Sequence, residues 1–193
     1  MWWKIGEGFL VKTIASFDDT LTRIPVISHL TKTRRGRVAF SIGTLLALTV
    51  ILIIALFFSA VLSLIPYTRQ IAATLIFILA VLVYFDIFVT QSSRRLESRL
   101  STLDSSQNLA RIMGIGFLVS FITLIDDSFV LVPLFLSDNS SKFSSIIGVY
   151  LAAILQILAV IFFGERLERI KHKKELASAS LLILSVLVFM GII

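Results

Sequence analysis

Long apolar stretches dominate the chain, and short charged segments separate them. A helix needs about 20 mostly apolar residues to cross the hydrocarbon core of a bilayer. Two stretches reach this length easily, at 38–64 and 71–90. Three more follow at 112–136, 144–164 and 176–193. The pattern predicts an all-α membrane protein with five clear spans.

A sixth stretch, 5–28, is a weaker candidate because it carries four charged side chains. These are Lys12, Asp18, Asp19 and Arg23. Hydropathy alone would reject this stretch as a membrane span, but an internal repeat argues for it.

The repeat is clearest where "GEGFLVKTIASFDDTLTRIPVI", from Gly6, lies over "GIGFLVSFITLIDDSFVLVPLF", from Gly114. The alignment needs no gap. Identical residues stand at Gly6, Gly8, Phe9, Leu10, Val11, Ile14, Asp18, Asp19 and Pro25. The first stretch is therefore expected to cross the membrane as its copy does.

Two further pairs of segments continue the repeat in the same order. The segment from Phe40 aligns with the one from Ser145, and the segment from Ala72 aligns with the one from Ala177. Apolar segments match easily by chance, but the shared order and spacing favour a duplication. The expected count is six transmembrane helices, arranged as three plus three.

This reading gives a single transmembrane domain, 1–193. Repeat one covers about 5–90, a connecting loop covers about 91–110, and repeat two covers about 111–193. Because three helices is an odd number, the two repeats would cross the membrane in opposite orientations. That inverted-topology plan is typical of many secondary transporters.

Charge predicts the orientation of the spans. Most of the Lys and Arg residues between spans lie in 29–37, 91–110 and 165–175. Such a bias places these three loops in the cytoplasm and both termini outside, in what we expect to be a bacterial plasma membrane.

Composition supports lipid as the main partner. Hydrophobic residues make up 57% of the chain and charged residues only 16%, whereas soluble domains are nearer one quarter charged. The net charge of +6 comes from short loops rather than from one basic face, so no nucleic-acid partner is expected. The chain has no Cys, which excludes disulfides and thiol redox chemistry.

Two pairs of adjacent carboxylates, Asp18 with Asp19 and Asp126 with Asp127, fall near the middle of equivalent spans. A charged side chain at the bilayer centre costs at least about 2.5 to 3.5 kcal/mol, so such residues are rarely without a role. Inward-facing pairs would meet at the interface between the repeats, where transporters bind their substrates. These four residues are the predicted substrate-binding and metal-binding ligands.

The neighbouring groups offer further oxygen ligands. Thr20, Ser128 and Ser16 supply hydroxyls, and Pro25 and Pro133 are expected to break their helices and free backbone carbonyls. Oxygen ligands suit Mn, Mg or Ca better than Cd. The metal would be the substrate, and no resident cofactor is expected.

Protons are the expected counter-ion. Close carboxylates repel one another, which favours protonation of at least one of them. The cation and the proton would then compete for the same oxygens, as an antiporter requires.

Lys12 and Arg23 distinguish the two repeats, because Ser120 and Leu131 stand at the matching positions. The two cations either neutralise the first acidic pair or act as tethered cations that replace the substrate in part of the cycle. The second acidic pair has no such cation in its own helix and is therefore the stronger candidate for binding.

Other polar residues inside the spans receive weaker predictions. Asp86, late in the third span, is interpreted as a gate, a relay or a solvated interfacial residue. Gln156 is expected to form a helix-to-helix hydrogen bond rather than to contact substrate. Gly43 and Gly148 stand at matching positions and are expected to allow close helix packing.

Six helices in two inverted triplets, with an acidic motif in the first helix of each, resemble the LysE superfamily of exporters. The stretch "IDDSFVLVPLF" is similar to the first-helix motif of CadD-type cadmium-resistance transporters, and more distantly to the Asp motifs of MntP manganese exporters and TerC proteins. The resemblance rests on Asp126, Asp127 and Pro133 and their equivalents in the first repeat. It implies export of cations or small solutes from the cytoplasm.

Alternatives remain open at this point. Arg23 facing a carboxylate and the Asp pairs facing an amine would suit an exporter of amino acids or other zwitterionic solutes. A non-transporting membrane scaffold and a homodimeric assembly are also compatible with the sequence. No HExxH, GxSxG or P-loop motif is present, so an enzyme is not expected.

Overall fold

A computed structural model describes most of the helical part of the chain. The described residues are 2–16, 34–85, 109–125, 127–136, 139–168 and 173–191.

Within these ranges the chain is almost entirely helical and contains no strand. The helices are α1 (Trp2–Ala15), α2 (Arg34–Leu62), α3 (Thr68–Tyr84), α4 (Leu109–Leu124), α5 (Asp127–Leu131), α6 (Asn139–Glu168) and α7 (Lys173–Phe189). A 3-10 turn, Pro133–Phe135, follows α5. The all-α fold class is therefore confirmed.

Two of the described helices are long and apolar enough to cross a membrane, Arg35–Leu62 and Ser141–Phe162. A third span results if α4 and the following segment, Asp127–Phe135, count as one helix that bends by 64°. Gln70–Tyr84 and Ser178–Phe189 are shorter apolar helices. A membrane protein is thus supported, while the count of six spans stays a prediction.

The exposed surface agrees with lipid as the solvent. Large apolar side chains face outward along most of the helices, where a soluble monomer would carry polar groups. Examples are Ile53, Phe57, Phe77, Leu155, Phe162 and Val186.

Each helix of the first half packs mainly against a helix of the second half. The pairs are α1 with α6, α2 with α4, and α3 with α7. Their shared core contains Leu48, Ile51, Ile76, Leu134, Val149 and Leu184. The two halves of the sequence therefore fold around one common core rather than as separate units.

Equivalent glycines make equivalent close contacts in these pairs. A Cβ added at Gly8 would lie 2.3 Å from the carbonyl oxygen of Ser145, and one at Gly116 would lie 2.6 Å from that of Phe40. Gly8 aligns with Gly116, and Phe40 aligns with Ser145. One contact thus becomes the other when the halves are exchanged.

The same exchange relates Gly43 and Gly148, which were expected to allow close packing. A Cβ at Gly148 would lie 2.1 Å from the carbonyl oxygen of Ile5, and one at Gly43 would lie 2.2 Å from that of Met113. Ile5 and Met113 are aligned positions. Only glycine allows the helices to approach this closely, so the packing prediction is confirmed.

In the third helix pair, α3 with α7, two serines make contacts at positions that also exchange between the halves. Ser178 donates to the carbonyl oxygen of Ala80 at 3.1 Å, and Ser185 donates to that of Ala73 at 3.0 Å. Ser178 aligns with Ala73, and Ser185 aligns with Ala80. The two residue pairs are therefore exchanged copies of each other, although the donor belongs to α7 in both bonds.

Candidate functional site

A buried ion pair joins the two halves of the molecule. The Lys12 ammonium on α1 donates to the Oδ2 atom of Asp127, which begins α5, 115 positions later in the sequence. Lys12 is 1% exposed and Asp127 is 2% exposed. Two buried opposite charges in contact avoid the large cost of burying either one alone.

Ser16 completes this group as a hydroxyl shared by both charges. Its Oγ atom accepts a hydrogen bond from the Lys12 ammonium and donates to Asp127 Oδ2 at 2.5 Å. Lys12 and Ser16 are four residues apart, so one face of α1 presents both of them. We call Lys12, Ser16 and Asp127 the charged triad.

A break in the helix brings Asp127 to this position. After α4 ends at Leu124, the chain turns at Ile125, and Asp127–Phe135 continues at 64° to α4. The Ser128 hydroxyl donates to the Ile125 carbonyl at 2.6 Å and closes the turn. The hydroxyl proton of Ser128 is therefore engaged in this hydrogen bond, while the hydroxyl oxygen keeps a lone pair that could bind a cation.

The break lies earlier than the one predicted at Pro133. Pro133 begins the 3-10 turn, where its missing amide is tolerated. The carboxylate is therefore at the start of a new helix, and it leaves the line of α4 before the proline is reached.

The prediction for the second acidic pair was wrong in one respect. It treated that pair as free of a partner cation because its own helix carries none nearby, yet Lys12 of the first half pairs with Asp127. The cation arrives through the contact of α1 with α5 rather than along one helix. Lys12, which was expected to act on the first pair, is thus a partner of the second.

Gln156 forms the helix-to-helix hydrogen bond that was expected. Its Nε2 atom donates to the backbone carbonyl of Lys12 at 3.4 Å, which ties α6 to the part of α1 that carries the triad. Gln156 therefore supports the position of Lys12 without contacting the carboxylate.

The remaining predicted residues lie outside the described ranges. These are Asp18, Asp19, Thr20, Arg23, Pro25, Asp86 and Asp126. In the part of the chain that the structure covers, no group of three or more His, Cys, Asp or Glu side chains could hold a metal ion. Three of the four predicted Asp ligands are not in that part.

A small cavity of about 30 Å³ adjoins the triad. Its polar lining comes from Lys12, Ser41, Thr44 and Gln156, and its other walls are apolar side chains of α2, α4 and α6. A water molecule needs roughly 10–15 Å³ of such space, so about two would fit. The lining is mostly apolar, and Ser41, Thr44 and Gln156 are the polar residues that share it with Lys12.

Two polar features were not foreseen in the sequence. The hydroxyls of Thr44 and Ser120 lie 2.8 Å apart between α2 and α4. Glu7, 5% exposed, pairs with Lys4 at 2.6 Å on α1. The i,i+3 spacing of Lys4 and Glu7 could have indicated the second feature, whereas the first depends on which helices become neighbours.

Comparison of the chain with protein-family models, with curated proteins and with solved structures finds no match. The resemblance to the LysE superfamily therefore stays a prediction.

Proposed function

We propose that this chain is a secondary transporter that exports a cation from the cytoplasm, with Asp127 at the centre of its binding site. The observation that carries this proposal is the buried carboxylate at a helix break, held by a cation of the opposite half. Ionisable groups buried in membrane segments usually mark ion or substrate pathways, and broken helices at the interface of two repeats usually mark transporter sites.

The proposal includes six spans in two inverted repeats. The exchanged glycine contacts and the exchanged bonds of Ser178 and Ser185 support it, since both exchange aligned positions of the halves. The helix directions agree as well. Gly148 meets Ile5 while Gln156 meets Lys12, so α1 and α6 run parallel, as two spans that both start outside would.

Topology can be tested with single cysteines, because the natural chain has none. Leu64 and Tyr67 are exposed between α2 and α3, on the side predicted to be outside, and Arg35 is exposed near the predicted cytoplasmic side. An impermeant thiol reagent on intact cells should label Leu64→Cys and Tyr67→Cys but not Arg35→Cys. Labelling of Arg35→Cys instead would reverse the proposed orientation.

A hard divalent metal such as Mn, Mg or Ca is the proposed substrate, exchanged for protons. The described site offers carboxylate and hydroxyl oxygens and neither thiolate nor imidazole, which favours these ions over Cd. Asp126, adjacent to Asp127 in the sequence, would supply the second negative charge that a divalent ion needs.

The decisive test is transport into proteoliposomes. The panel contains Mn, Mg, Ca, Cd and basic amino acids, each run with and without a pH gradient, for the natural protein and Asp127→Asn. We expect one class of cation to be transported, with dependence on the gradient and on Asp127. Equal transport by Asp127→Asn for every substrate would contradict the proposal.

One observation favours a second candidate, the export of solutes that carry a primary amine. The triad already holds a primary ammonium, that of Lys12, between a carboxylate and a hydroxyl. The amine of a basic amino acid could take the same place. Uptake of amino acids but of no metal, in the same panel, would establish this candidate instead.

A further inference from the structure

We propose that Lys12 is a tethered occupant of a cation site formed by Asp127 and Ser16, and that the exported cation enters only when this ammonium withdraws. The inference rests on the exporter proposal and adds the identity of the competing group. Its first support is placement, since the Lys12 ammonium lies between Asp127 Oδ2 and Ser16 Oγ, where a bound cation would meet the same two oxygens.

Burial makes the site intolerant of an empty state. Lys12, Ser16 and Asp127 are each at most 2% exposed. A buried carboxylate that loses its positive neighbour is destabilised, so replacement of Lys12 by another cation is favoured. Exchange of one cation for the other keeps a positive charge beside Asp127.

The structure also provides a place for the withdrawn ammonium. The lining of the cavity beside Lys12 includes Thr44 and Gln156, and the cavity has room for about two water-sized groups. Lysine is a compact charge on a flexible four-carbon stem, so a rotation of its side chain would carry the ammonium into this space. The backbone of α1 could stay in place, held by the bond from Gln156 to the Lys12 carbonyl.

Competition between a tethered and a free cation has a measurable consequence. When Lys12 occupies the site in most molecules, a free cation can bind only to the molecules in which the site is vacant. The apparent affinity for that cation is therefore reduced in proportion to the vacant fraction. Removal of the Lys12 side chain should therefore raise cation affinity by about tenfold or more. It should also leave a hole beside Asp127 that small cations can fill.

The experiment is cation rescue of the purified full-length Lys12→Ala protein. Its thermal unfolding midpoint is measured in chloride salts of Na, Mg, Ca, Mn, methylammonium and the bulky N-methylglucamine, at constant ionic strength. We expect a low midpoint in N-methylglucamine and a saturable rise with at least one small cation, at concentrations where the natural protein barely responds. A rise with divalent metals supports a metal substrate, and a rise with methylammonium alone supports an amine.

Three controls separate this site from a general salt effect. Lys12→Met fills the hole with an apolar chain and should respond less than Lys12→Ala. Lys12→Ala/Asp127→Asn lacks the carboxylate and should not respond. Lys4→Ala/Glu7→Gln removes the other paired lysine of the same helix together with its carboxylate, and it should respond to cations as the natural protein does.

The proposal is overturned if Lys12→Ala responds to no small cation, or if the double variant responds equally. If Lys12→Ala does not fold, Lys12→Gln is measured in the same salts with the same criteria. The thermal unfolding measurements do not depend on transport, so the two proposals can be tested separately. Loss of transport in Asp127→Asn without rescue of Lys12→Ala leaves the exporter and removes the tethered occupant. Rescue together with normal transport by Asp127→Asn leaves the cation site and removes Asp127 from the transport pathway.

Discussion

Positions 12 and 120 are equivalent in the alignment of the two halves, yet they carry different chemistry. Both are buried on the first helix of their half. Lys12 makes a charged contact with Asp127 across the interface, whereas Ser120 makes a neutral hydroxyl contact with Thr44. The helix packing around them is shared between the halves, so among the described residues similar packing surrounds a charged contact at one position and a neutral contact at the other.

The largest expected effect comes from breaking the ion pair between Lys12 and Asp127. Asp127→Asn leaves the Lys12 ammonium buried without a negative partner. Removing one member of a buried ion pair lowers the free energy of unfolding by about 3–5 kcal/mol. Chemical unfolding of the detergent-purified variant should show a loss of this size.

A double variant is the matched control for that loss. Lys12→Met/Asp127→Leu replaces both charges with apolar groups of similar size, which is often neutral or stabilising. It should recover most of the stability that Asp127→Asn loses, although it should not transport. Equal or greater loss in the double variant would mean that packing, rather than charge, explains the first result.

Equivalent glycine substitutions in the two halves should lower the stability of the protein by equal amounts. Gly148→Ala and Gly43→Ala each place a methyl group within about 2.2 Å of a backbone oxygen, and both helices of the pair must shift. Overpacking of this kind costs about 1–3 kcal/mol. Thermal unfolding of the two variants should show losses that agree within error.

A third pair of aligned glycines, which makes no close contact, provides the control. A Cβ at Gly6 or at Gly114 would meet nothing within 4 Å. Because alanine is the better helix former by up to about 1 kcal/mol, Gly6→Ala and Gly114→Ala should be neutral or stabilising. A loss in one half only, in either pair of variants, would argue against a duplicated framework.

The sequence predicted this framework better than it predicted the site. The repeat places Gly43 and Gly148 at equivalent positions, and both allow the expected close approach. The partner of Asp127 could not be found in the same way, since the contact of Lys12 with Asp127 spans 115 positions and exists only because α1 lies against α5. Helical spacing relates residues within one helix and does not show which helices become neighbours.

The predicted break at Pro133 is present, since α5 ends at Leu131, but the 64° bend lies earlier in the same segment and was not predicted. Proline marks where an amide is missing, and Pro133 indeed starts a 3-10 turn. The bend itself follows Leu124, where the hydroxyl of Ser128 bonds the carbonyl of Ile125. Serine and aspartate compete with helical bonding through such local contacts, and whether they succeed depends on the neighbouring helices.

A smaller effect is expected from the exchanged hydrogen bonds of the third helix pair. Ser178→Ala and Ser185→Ala each remove a buried donor to a carbonyl of α3. Hydrogen bonds between membrane helices contribute roughly 0.6–2 kcal/mol. The two variants should lose similar stability in thermal unfolding, and the double variant should lose about the sum, because the sites are two helical turns apart. Unequal losses would indicate that the two exchanged residue pairs are not equivalent.

The smallest effect should come from breaking the neutral contact between Ser120 and Thr44. Ser120→Ala removes the hydroxyl contact with Thr44, but Thr44 keeps a second acceptor, the Phe40 carbonyl at 3.2 Å. No charge is left unpaired, so the loss in unfolding free energy should stay below about 1 kcal/mol. Transport of the cation found in the proteoliposome panel should continue in Ser120→Ala and stop in Asp127→Asn. Equal inhibition by both variants would mean that the neutral contact also lies on the pathway, and that both halves contribute to the site.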